Sequence, residues 1–524
     1  MVMENYDVII VGSGINSLVS ATVLAQAGKT VLVLESRNQI GGQAGTEEFA
    51  PGFKCNLIND VIKWIDPRVI KKLNLGLHGL NIYSPELVRI ALDRKNKHIS
   101  FYRDPNKTAA SIAKQSEKDA KVWPDFNKYI DAQSQFLASL YEIKPPNLPH
   151  VGLKDLWTMR SMLKPLRKNG TSGLVDFIRV AAMMMPELMD EWFESKLVRG
   201  AVSAAGITLI NQGPFSAATG LNLLHQHVHC SNVFHNMHFV KGGSGKLAKT
   251  LALSAQSAGT VIRTKAKVES IIINDGICSG VRIKNGEEVS ANIVLSGLDP
   301  TNTFINLIGA EKLDPVFYTQ IRNIKYRGST ARVHFALNQL PEIPGVNPEE
   351  MNTVFSISPT LNYLERAYDV AKYGKIAENP FIIFTIPTIN EPKFAPNGKH
   401  VLSATIQYAP YHLKVGSWDN NTKTQLTNNV TQTIGNYIPG FSSLIESSAL
   451  YTPVDFESLL GLTEGSFFHG DLTLDQFFFM RPTMSLSQYK SPFENLYLCG
   501  SGTHPGCGPN GSSGFNAALE VLRK

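Results

Sequence analysis

The chain has 524 residues, of which 43% are hydrophobic, and it carries a formal net charge of +6. This length predicts two or three domains, or two discontinuous ones, with enough apolar residues for large cores. The positive charge is spread along the chain without a dense basic run, which argues against a nucleic-acid partner. The five cysteines are an odd number without the spacing of a disulfide framework, which fits a reducing compartment.

A short apolar strand, a glycine-rich turn and a helix open the chain. Residues 7–11 are a β-branched run bounded by glycine, which predicts a buried parallel strand. Residues 18–27 predict a helix, and residues 30–34 predict a second buried strand with Glu35 at its end. This is the βαβ unit, with an acidic residue roughly twenty positions after the glycines, that dinucleotide binding requires.

The glycines of this turn predict where the dinucleotide lies. Gly12 makes the tight turn, and Gly14 lets the backbone approach a pyrophosphate that rests on the helix N-terminus. Glu35 is expected to accept hydrogen bonds from the adenosine ribose. Ser17 replaces the third glycine of the pattern, so helix–strand packing is expected to be slightly looser there. The residues predicted to bind the cofactor here are Gly12, Gly14, Ile15, Asn16, Ser17, Glu35, Ser36 and Arg37.

A glycine pair follows the second strand. It allows another close backbone approach, to the pyrophosphate or the ribityl chain, and a basic residue such as Arg37 just before it is typical of flavoproteins. A plain glycine-rich turn explains the pair equally well when it is taken alone. The rest of the chain favours FAD. The residues predicted to bind the cofactor at this turn are Gly41, Gly42, Gln43 and Ala44.

A second part of the cofactor domain is predicted in the middle of the chain. An apolar helix over residues 247–258 is followed by strands over 261–273, 278–283 and 289–295, with turns at residues 275–276 and 285–286. Val268, in the first of these strands, is predicted to contact the cofactor. No second glycine fingerprint lies in a βαβ unit, which argues against a built-in nicotinamide domain.

A second glycine-rich cluster closes the chain. Residues 495–499 predict a buried strand, and a helix with apolar residues at helical spacing follows Gly511. The partial positive charge at that helix N-terminus, placed beside the flavin ring, would stabilise reduced flavin. The residues predicted to bind the cofactor here are Gly500, Ser501, Gly508, Asn510 and Gly511.

His504, within this loop, is the one predicted catalytic residue. It would orient the flavin ring or relay a proton, and the alternative is that it only hydrogen-bonds the loop. Cys507 is a remote candidate for a covalent flavin link, although a lone cysteine is usually a small packed residue.

Several short motifs are spread along the chain: Thr46-Glu47-Glu48, Pro51-Gly52-Phe53-Lys54, Asp190-Glu191-Trp192-Phe193, Gly461-Leu462-Thr463, Phe468-His469-Gly470, Leu474-Asp475-Gln476, Met480-Arg481-Pro482 and residues 496–506. Together they resemble the phytoene-desaturase-like FAD oxidoreductases, and within them the group named pyridine nucleotide-disulfide oxidoreductase domain-containing protein 2. The resemblance covers nearly the whole chain, and residues 461–506 carry it most specifically.

The chain departs from the family pattern near its end. Cys507 stands where the family usually has a glycine, and Phe515 replaces its usual arginine, so contacts to the flavin ring are expected to differ. The chain has no Cys-x-x-Cys pair, so disulfide exchange lacks its reactive centre.

The predicted fold class is α/β: a Rossmann-like FAD-binding domain of the glutathione-reductase/amine-oxidase type with a discontinuous α+β substrate domain. Residues 1–75, 236–300 and 490–524 are assigned to the FAD-binding domain. Residues 76–235 and 301–489 are assigned to a substrate-binding domain with a helical lid. The first insertion is predicted to be helical, and the second contains strand-like runs at residues 332–337, 381–386 and 401–408.

Two segments bear on the substrate. The run Phe477-Phe478-Phe479-Met480 lines an apolar tunnel in one interpretation and forms a buried core strand in the other, which composition favours. Residues 156–168 mix apolar and basic side chains, which fits either a peripheral membrane contact or a solvated lid.

A histidine-rich segment is the best metal candidate. His225, His227 and His229 alternate, and Cys230, His235 and His238 follow, but no known ligand spacing is present. No bound metal is therefore predicted.

The sequence predicts an FAD-dependent oxidoreductase that abstracts a hydride from an apolar substrate, polyene or lipid-like, and passes electrons to oxygen, a quinone or another acceptor. One alternative is a flavin amine oxidase, which needs an aromatic cage beside the flavin. Another is a non-catalytic binding protein, as Rab escort and GDP-dissociation-inhibitor proteins show the fold permits.

The expected location is cytoplasmic, peripheral at a membrane, or the mitochondrial matrix in a eukaryote. The first strand begins too near Met1 for a targeting segment, and no stretch reaches transmembrane length.

Overall fold

The computed structural model describes residues 5–94, 96–147, 152, 160, 163–506 and 508–523. The strands are β1 (Asn5–Val11), β2 (Val31–Leu34), β3 (Thr46–Ala50), β4 (Phe53–Asn56), β5 (Ile82–Tyr83), β6 (Leu87–Leu92), β7 (His98–Tyr102), β8 (Phe239–Val240), β9 (Val261–Arg263), β10 (Val268–Asn274), β11 (Ile277–Ile283), β12 (Glu288–Ser296), β13 (Thr330–Leu337), β14 (Val354–Ile357), β15 (Phe381–Thr385), β16 (His400–Gln407), β17 (Ile445–Tyr451) and β18 (Leu496–Leu498).

The helices lie between these strands, and α3 to α8 follow one another without an intervening strand among the described residues. They are α1 (Ile15–Gln26), α2 (Pro67–Leu73), α3 (Pro105–Ala113), α4 (Glu117–Tyr141), α5 (Leu163–Ala182), α6 (Met185–Trp192), α7 (Lys196–Ile207), α8 (Thr219–Gln226), α9 (Ser244–Ser257), α10 (Pro315–Arg322), α11 (Leu361–Lys372), α12 (Asn420–Gly435), α13 (Pro453–Leu460) and α14 (Ser512–Leu522), with a π-helix over Thr301–Gly309. Three of them begin in the same way, with an aspartate cap at Asp66, Asp104 or Asp314 and proline at the first helical position.

The first sheet has the strand order β10-β11-β12-β1-β2-β9, and β18 also pairs with β12. Its centre is parallel, and the pairs β10–β11 and β11–β12 are antiparallel. Residues Val8 to Val11 are at most 4% exposed, because helices cover both faces of the sheet at its centre. The register aligns Val11 of β1 with Ser296 of β12, and Ser296 with Leu498 of β18. The carboxyl ends of β1 and β18 therefore lie on either side of β12.

The predicted strand over residues 261–273 is two strands in the structure. β9 pairs with β2 at one edge of the first sheet, whereas β10 pairs with β11 at the other edge. The chain leaves the strand conformation between them, and Lys265 has a positive φ of 55°. The two predicted hairpin turns are present, with Gly276 and Gly286 at φ of 80° and 89°.

The second sheet has the order β17-β13-β16-β15-β14-β6-β7. All its pairs are antiparallel except β14–β6. The prediction that the first insertion is helical is incomplete, because β6 and β7 come from that insertion and complete this sheet. β6 is buried along its whole length yet contains an arginine, Arg89, which weakens the strand pattern in the sequence.

The two sheets follow the predicted division of the chain. Every strand of the first sheet lies within residues 1–75, 236–300 or 490–524, and every strand of the second lies within 76–235 or 301–489. The exact domain boundaries remain a prediction.

A helical layer covers one face of the second sheet. Its core joins β6 and β7 to α4, α6, α7 and α8 through residues such as Phe101, Trp123 and Leu224. Phe478 is buried in this core, whereas Phe477 and Phe479 are only partly buried. The run forms a 3-10 turn at Phe478–Met480, so the prediction of a core strand is wrong.

In the part of the chain that the structure describes, no helix is long and apolar enough to cross a membrane. Residues 156–159 and 161–162 of the basic, apolar segment lie outside the described residues. The predicted membrane contact and the predicted location therefore stay predictions.

Candidate functional site

The two glycine clusters meet at the carboxyl edge of the first sheet. Asn16, at the start of α1, donates from Nδ2 to Ser501 Oγ at 3.1 Å. Its Oδ1 accepts the Gly514 N–H at 3.3 Å. A Cβ at Gly514 would lie 1.9 Å from the Asn16 carbonyl oxygen, so only glycine lets α14 approach α1 this closely. Two loops 485 positions apart thus form one site.

The first cluster presents bare backbone to the site. Gly12 has φ of 85°, and its N–H donates to the Leu34 carbonyl at 2.8 Å, which makes the expected tight turn. Gly14 precedes the first residue of α1, and a Cβ built on it meets nothing within 4 Å. The unpaired N–H groups at this helix end can therefore reach a phosphate.

Ser17 packs tightly despite standing in place of a glycine. A Cβ at position 297 would lie 2.0 Å from Ser17 Oγ and 3.0 Å from the Val11 carbonyl oxygen. Gly297 follows β12 and leaves this space for the serine, which is only 1% exposed. The prediction of looser packing here is therefore wrong, because the missing glycine is compensated on the neighbouring strand.

Glu35 directly follows β2 and is only 6% exposed. Its Oε2 accepts the Ser13 N–H at 3.0 Å and the Ser13 hydroxyl at 2.6 Å. Its Oε1 accepts the Arg37 N–H at 2.8 Å and the Ser36 hydroxyl at 3.2 Å. These four bonds fix the carboxylate at the wall of the site and occupy about all of its lone-pair positions, so a ribose hydroxyl there would replace or share one of them.

The turn at Gly41 and Gly42 lies against the first cluster. The Gly41 N–H donates to the Ser13 carbonyl at 3.0 Å, and a Cβ at Gly42 would lie 3.5 Å from Gly14 Cα. Gly41 has φ of 105°, and a Cβ there would lie 2.4 Å from that of Ala248. Arg37 forms an ion pair with Glu47. Close approach therefore requires glycine at position 41, whereas Gly42 makes only an ordinary contact with Gly14 and is favoured there by its positive φ of 54°.

A cleft of about 840 Å³, counting its open mouth, lies between these loops. We call it the cofactor cleft. It is lined by Gly12, Ser13, Gly14, Ile15, Asn16, Ser17, Glu35, Ser36, Arg37, Gly41, Gly42, Gln43, Gly297, Leu298, Leu460, Gly461, Leu462, His469, Gly500, Ser501, Gly508 and Pro509.

All the residues predicted to bind the cofactor line this cleft except Ala44, Val268, Asn510 and Gly511. Ala44 and Val268 are buried in the cores on either side. Asn510 braces the C-terminal loop, where its Oδ1 accepts the Ser512 N–H at 3.0 Å, and it lines a neighbouring cavity. Gly511 caps α14 with φ of 80°.

Val268 lies near the site without lining it. The N–H groups of Lys265 and Ala266, shortly before it, donate to the Arg37 and Glu35 carbonyls at 2.9 and 2.8 Å. The chain therefore passes beside the adenosine end of the cleft and then turns away into β10.

Sequence reasoning missed several lining residues. Gly297 and Leu298 follow β12, and a search of every parallel strand's carboxyl end would have found them. Gly461, Leu462 and His469 were recognised only as family markers. His469 is partly buried with its Nδ1 unpartnered among the described residues, and burial lowers its pKa.

His504 does not line the cofactor cleft. Its side chain is completely buried, its Nε2 lies 2.9 Å from the Leu140 carbonyl oxygen, and its ring contacts Tyr141 and Phe478 edge-on. Burial lowers the pKa of His504 to about 3, so the imidazole is neutral at ordinary pH. A catalytic role for His504 stays a prediction, and Cys507 lies outside the described residues.

Most of the histidine-rich segment is engaged in hydrogen bonds. His225 Nδ1 bonds the Tyr141 hydroxyl at 2.7 Å, and His227 bonds the Leu223 carbonyl through Nδ1 and the His235 N–H through Nε2. Within the described ranges, no group of three or more histidine, cysteine or acidic side chains is placed to hold a metal. The described cysteines, Cys55, Cys230, Cys278 and Cys499, are all free and buried.

Two further cavities extend from the cofactor cleft toward the second sheet. The neck has about 540 Å³ of space, counting the part that is open to solvent, and shares Gln43, Gly508 and Pro509 with the cleft. Its lining is Gln43, Asn59, Val61, Lys63, Trp64, Leu209, His225, Gln226, Phe467, Phe468, Gly508, Pro509 and Asn510.

The chamber lies beyond the neck and has about 660 Å³ of space. It shares six residues with the neck, among them Val61, Lys63 and Leu209, but none with the cleft. Its lining is Ile58, Asn59, Asp60, Val61, Lys63, Arg89, Thr208, Leu209, Gln226, Arg332, Val354, Ile383, Phe384, Thr385, Thr405 and Phe467. Phe477, Phe478 and Phe479 line none of these three cavities.

The residues of the cleft fit a flavin dinucleotide. A Cβ built at position 14 or 508 meets no atom within 4 Å, so bare backbone faces the space that phosphates need at one end and a ring needs at the other. Helices α1 and α14 direct their N-termini to the same region, and both helix ends favour negative charge.

The comparisons with known proteins agree with this geometry. Residues 18–522 match the family described as flavin containing amine oxidoreductase. Pyridine nucleotide-disulfide oxidoreductase domain-containing protein 2 of Rattus norvegicus is 32% identical, over 99% of this chain and 93% of that protein. A lycopene-forming phytoene desaturase of Pseudescherichia vulneris is 23% identical, over 95% of each chain.

Among solved structures, cyclohexylamine oxidase from Brevibacterium oxydans superimposes with a TM-score of 0.58 at 14% identity, over 99% of this chain and 100% of that one. This likeness confirms the fold, a Rossmann-like FAD-binding domain with a substrate domain. The family match spans nearly the whole chain and confirms a flavin cofactor of the FAD type. The chain therefore belongs to the flavin containing amine oxidoreductase family.

Proposed function

We propose that the protein oxidises a lipid-like substrate with an apolar body, by hydride abstraction from an activated C–H bond. The path formed by the cleft, the neck and the chamber, in which the neck shares lining residues with both of the others, supports this proposal. When bound, FAD supplies the hydride acceptor. A long molecule that follows this row of cavities would place one carbon beside the cleft while the rest extends toward the second sheet.

The residues of the neck would position the substrate and exclude water. Trp64, Phe467 and Phe468 supply apolar surface to the neck. Gln43 donates from Nε2 to the Phe467 carbonyl at 2.8 Å, which ties the glycine turn to the far wall. This bond holds the two sides of the neck at a fixed separation.

An amine oxidase is the second candidate. The same aromatic residues, Trp64, Phe467 and Phe468, are of the kind that an aromatic cage needs, and the family includes amine oxidoreductases. The charges of the connected space disfavour a simple amine, because Lys63 and Arg89 line it and would repel a cation.

The proposal is tested by the visible spectrum of the purified holoprotein under anaerobic conditions, with phytoene-loaded liposomes or with octylamine. Bleaching of the flavin band by phytoene supports lipid oxidation, and bleaching by octylamine alone supports the amine oxidase. A protein that purifies without flavin colour would contradict both and support a non-catalytic binding role. Readmission of oxygen or of a soluble quinone then shows which acceptor reoxidises the flavin.

A matched pair of variants tests whether reduction of the flavin by the substrate depends on the neck and the chamber. Val61→Trp fills the space shared by neck and chamber, whereas Val415→Trp places the same side chain at a residue that is 85% exposed. We expect Val61→Trp to slow anaerobic reduction at least about tenfold by excluding the substrate, with Val415→Trp unchanged. Equal rates in both variants would show that the substrate does not use this path.

A further inference from the structure

Arg89 is a buried cation without a counter-ion. It lies on β6, is only 3% exposed and lines the chamber. Its Nε and Nη1 are buried without a hydrogen-bond partner, and no described residue forms an ion pair with it. Its partners across the strands in register are Val354 on β14 and Phe101 on β7, whose side chains offer no acceptor. The N–H donors on these two nitrogens therefore lack an acceptor among the described residues.

Lys63 is a second cation beside the same space. It lines both the neck and the chamber, and no described residue pairs with its Nζ in an ion pair or hydrogen bond. Burial first, and then the charge of Arg89, lower the pKa of Lys63 to about 7. Two like charges held together in a poorly solvated cavity oppose folding unless something compensates them.

The acidic side chain that lines the chamber does not compensate them. Asp60 Oδ2 bonds Arg332 Nη2 at 2.6 Å, and both side chains are at most 4% exposed. Asp60 Oδ1 accepts from Asn56 Nδ2 at 3.3 Å. Asp60 is thus matched by Arg332, and the charges of Arg89 and Lys63 remain as an excess.

The neighbouring titratable groups supply no negative charge either. Burial lowers the pKa of His227 to about 3 and that of His235 well below its usual value, and Arg89 and Lys63 lower both further. Burial raises the pKa of Cys230 to about 12, so its thiol keeps its proton. These side chains are neutral at pH 7, and the chamber keeps a net positive charge.

We propose that the chamber binds an acidic headgroup, a carboxylate, on Arg89 and Lys63, so that the substrate is an amphipathic acid whose apolar body runs through the neck. A planar guanidinium is suited to a carboxylate, and an anion there satisfies donors that are otherwise buried and unpaired. The proposal takes from the proposed function only that the chamber belongs to the substrate site.

The test measures binding by calorimetry on the oxidised holoprotein, so no turnover is needed. The probes are octanoate, octanol, octylamine, octyl phosphate and acetate, of which the first four share one chain length. We expect octanoate to bind about ten- to a hundredfold more tightly than octanol, with octylamine weakest. Arg89→Met should remove the preference for octanoate over octanol, and Arg89→Lys should restore part of it.

Arg94→Met is the matched control, because Arg94 follows the same strand but is exposed. It should keep the full preference for octanoate. Arg89→Met should also melt at the same temperature as the wild type or higher without added probe, since it removes an unpaired buried charge. If Arg89 had only a structural role, Arg89→Met would instead have a clearly lower melting temperature than the wild type.

Three results would overturn the proposal: equal affinity for octanoate and octanol, an unchanged preference in Arg89→Met, or acetate binding as tightly as octanoate. Tighter binding of octyl phosphate than of octanoate would also overturn the choice of a carboxylate. A failure of the proposed function looks different, because the octanoate preference would persist while no lipid reduces the flavin.

Discussion

The cofactor cleft and the chamber are built in opposite ways. The cleft is made mainly of glycines and backbone N–H groups from short loops, each contiguous in the sequence. The chamber is made of side chains from β6, β13, β15, β16 and the loop after β4, and its charged residues do not form a motif. A cofactor site of this kind can be recognised from short segments of the sequence, whereas a site for a particular substrate depends on which side chains the fold brings together.

The largest effect is expected from a substitution in the cofactor cleft that leaves the chamber unchanged. Gly14→Asp places a carboxylate in open space where the pyrophosphate is expected, so charge repulsion should weaken FAD binding more than about a hundredfold. The ratio of flavin to protein absorbance after purification measures this. Gly76→Asp is the control, since Gly76 also has an unoccupied Cβ direction but is exposed and away from the cleft. A yellow Gly14→Asp protein would contradict the assignment of the cleft.

The next prediction concerns the close packing under the cleft. Gly297→Ala brings a Cβ to 2.0 Å from Ser17 Oγ, and we expect it to lower the free energy of unfolding by about 1–3 kcal/mol. Adding Ser17→Ala removes the hydroxyl and should recover part of the loss. Denaturant unfolding of the two single variants and the double variant measures the coupling. Strict additivity would show that position 297 does not compensate for the serine.

His504 is predicted to act on stability rather than on the reaction. Its folded pKa, about 3, lies below the ordinary histidine value of about 6.5, so only the unfolded state takes up a proton between these values. Stability contributed by the neutral ring is therefore full above about pH 6.5 and falls as pH decreases toward 3, by up to about 1.4 kcal/mol per pH unit.

His504→Gln should lose less stability than the wild type when pH falls from 7 to 4, as measured by denaturant unfolding. It should also leave the pH profile of flavin reduction unchanged between pH 6 and 8. His412→Gln, at an exposed histidine, is the control for both measurements. A shifted pH profile in His504→Gln alone would instead support the predicted proton relay.

The smallest expected effect concerns the chamber and the pH dependence of octanoate binding there. Lys63 has a pKa of about 7, so it titrates between pH 6 and 8.5. Over this range Arg89 stays charged, because its pKa is lowered only to about 10. The neighbouring side chains stay neutral; they are His227, His235, His238 and Cys230. Lys63 therefore loses its proton as pH rises, and octanoate affinity should fall by about threefold to tenfold. Calorimetry at both pH values measures this, and Lys63→Met should show no such fall.

Sequence reasoning succeeded where one short segment carries the whole requirement. The turn at Gly12 to Ser17 needs glycine at a positive φ and next to a helix N-terminus, and no distant residue is needed to recognise it. The same holds for Gly41 and Gly42. It failed for the strand predicted over residues 261–273, because an irregular stretch of four residues sends the chain to the opposite edge of the sheet, and the cofactor contact of Val268 stays a prediction.

The sequence by itself determined the βαβ unit, the two glycine clusters and the kind of cofactor, because backbone conformation and helix ends depend on neighbouring residues. Only the tertiary structure decided that β12 stands between β1 and β18, that Gly297 makes room for Ser17, and that His504 does not line the cleft. It alone placed Arg89 and Lys63 in one cavity. Burial and the lack of a compensating charge nearby are properties of the packed chain, and no local pattern records them.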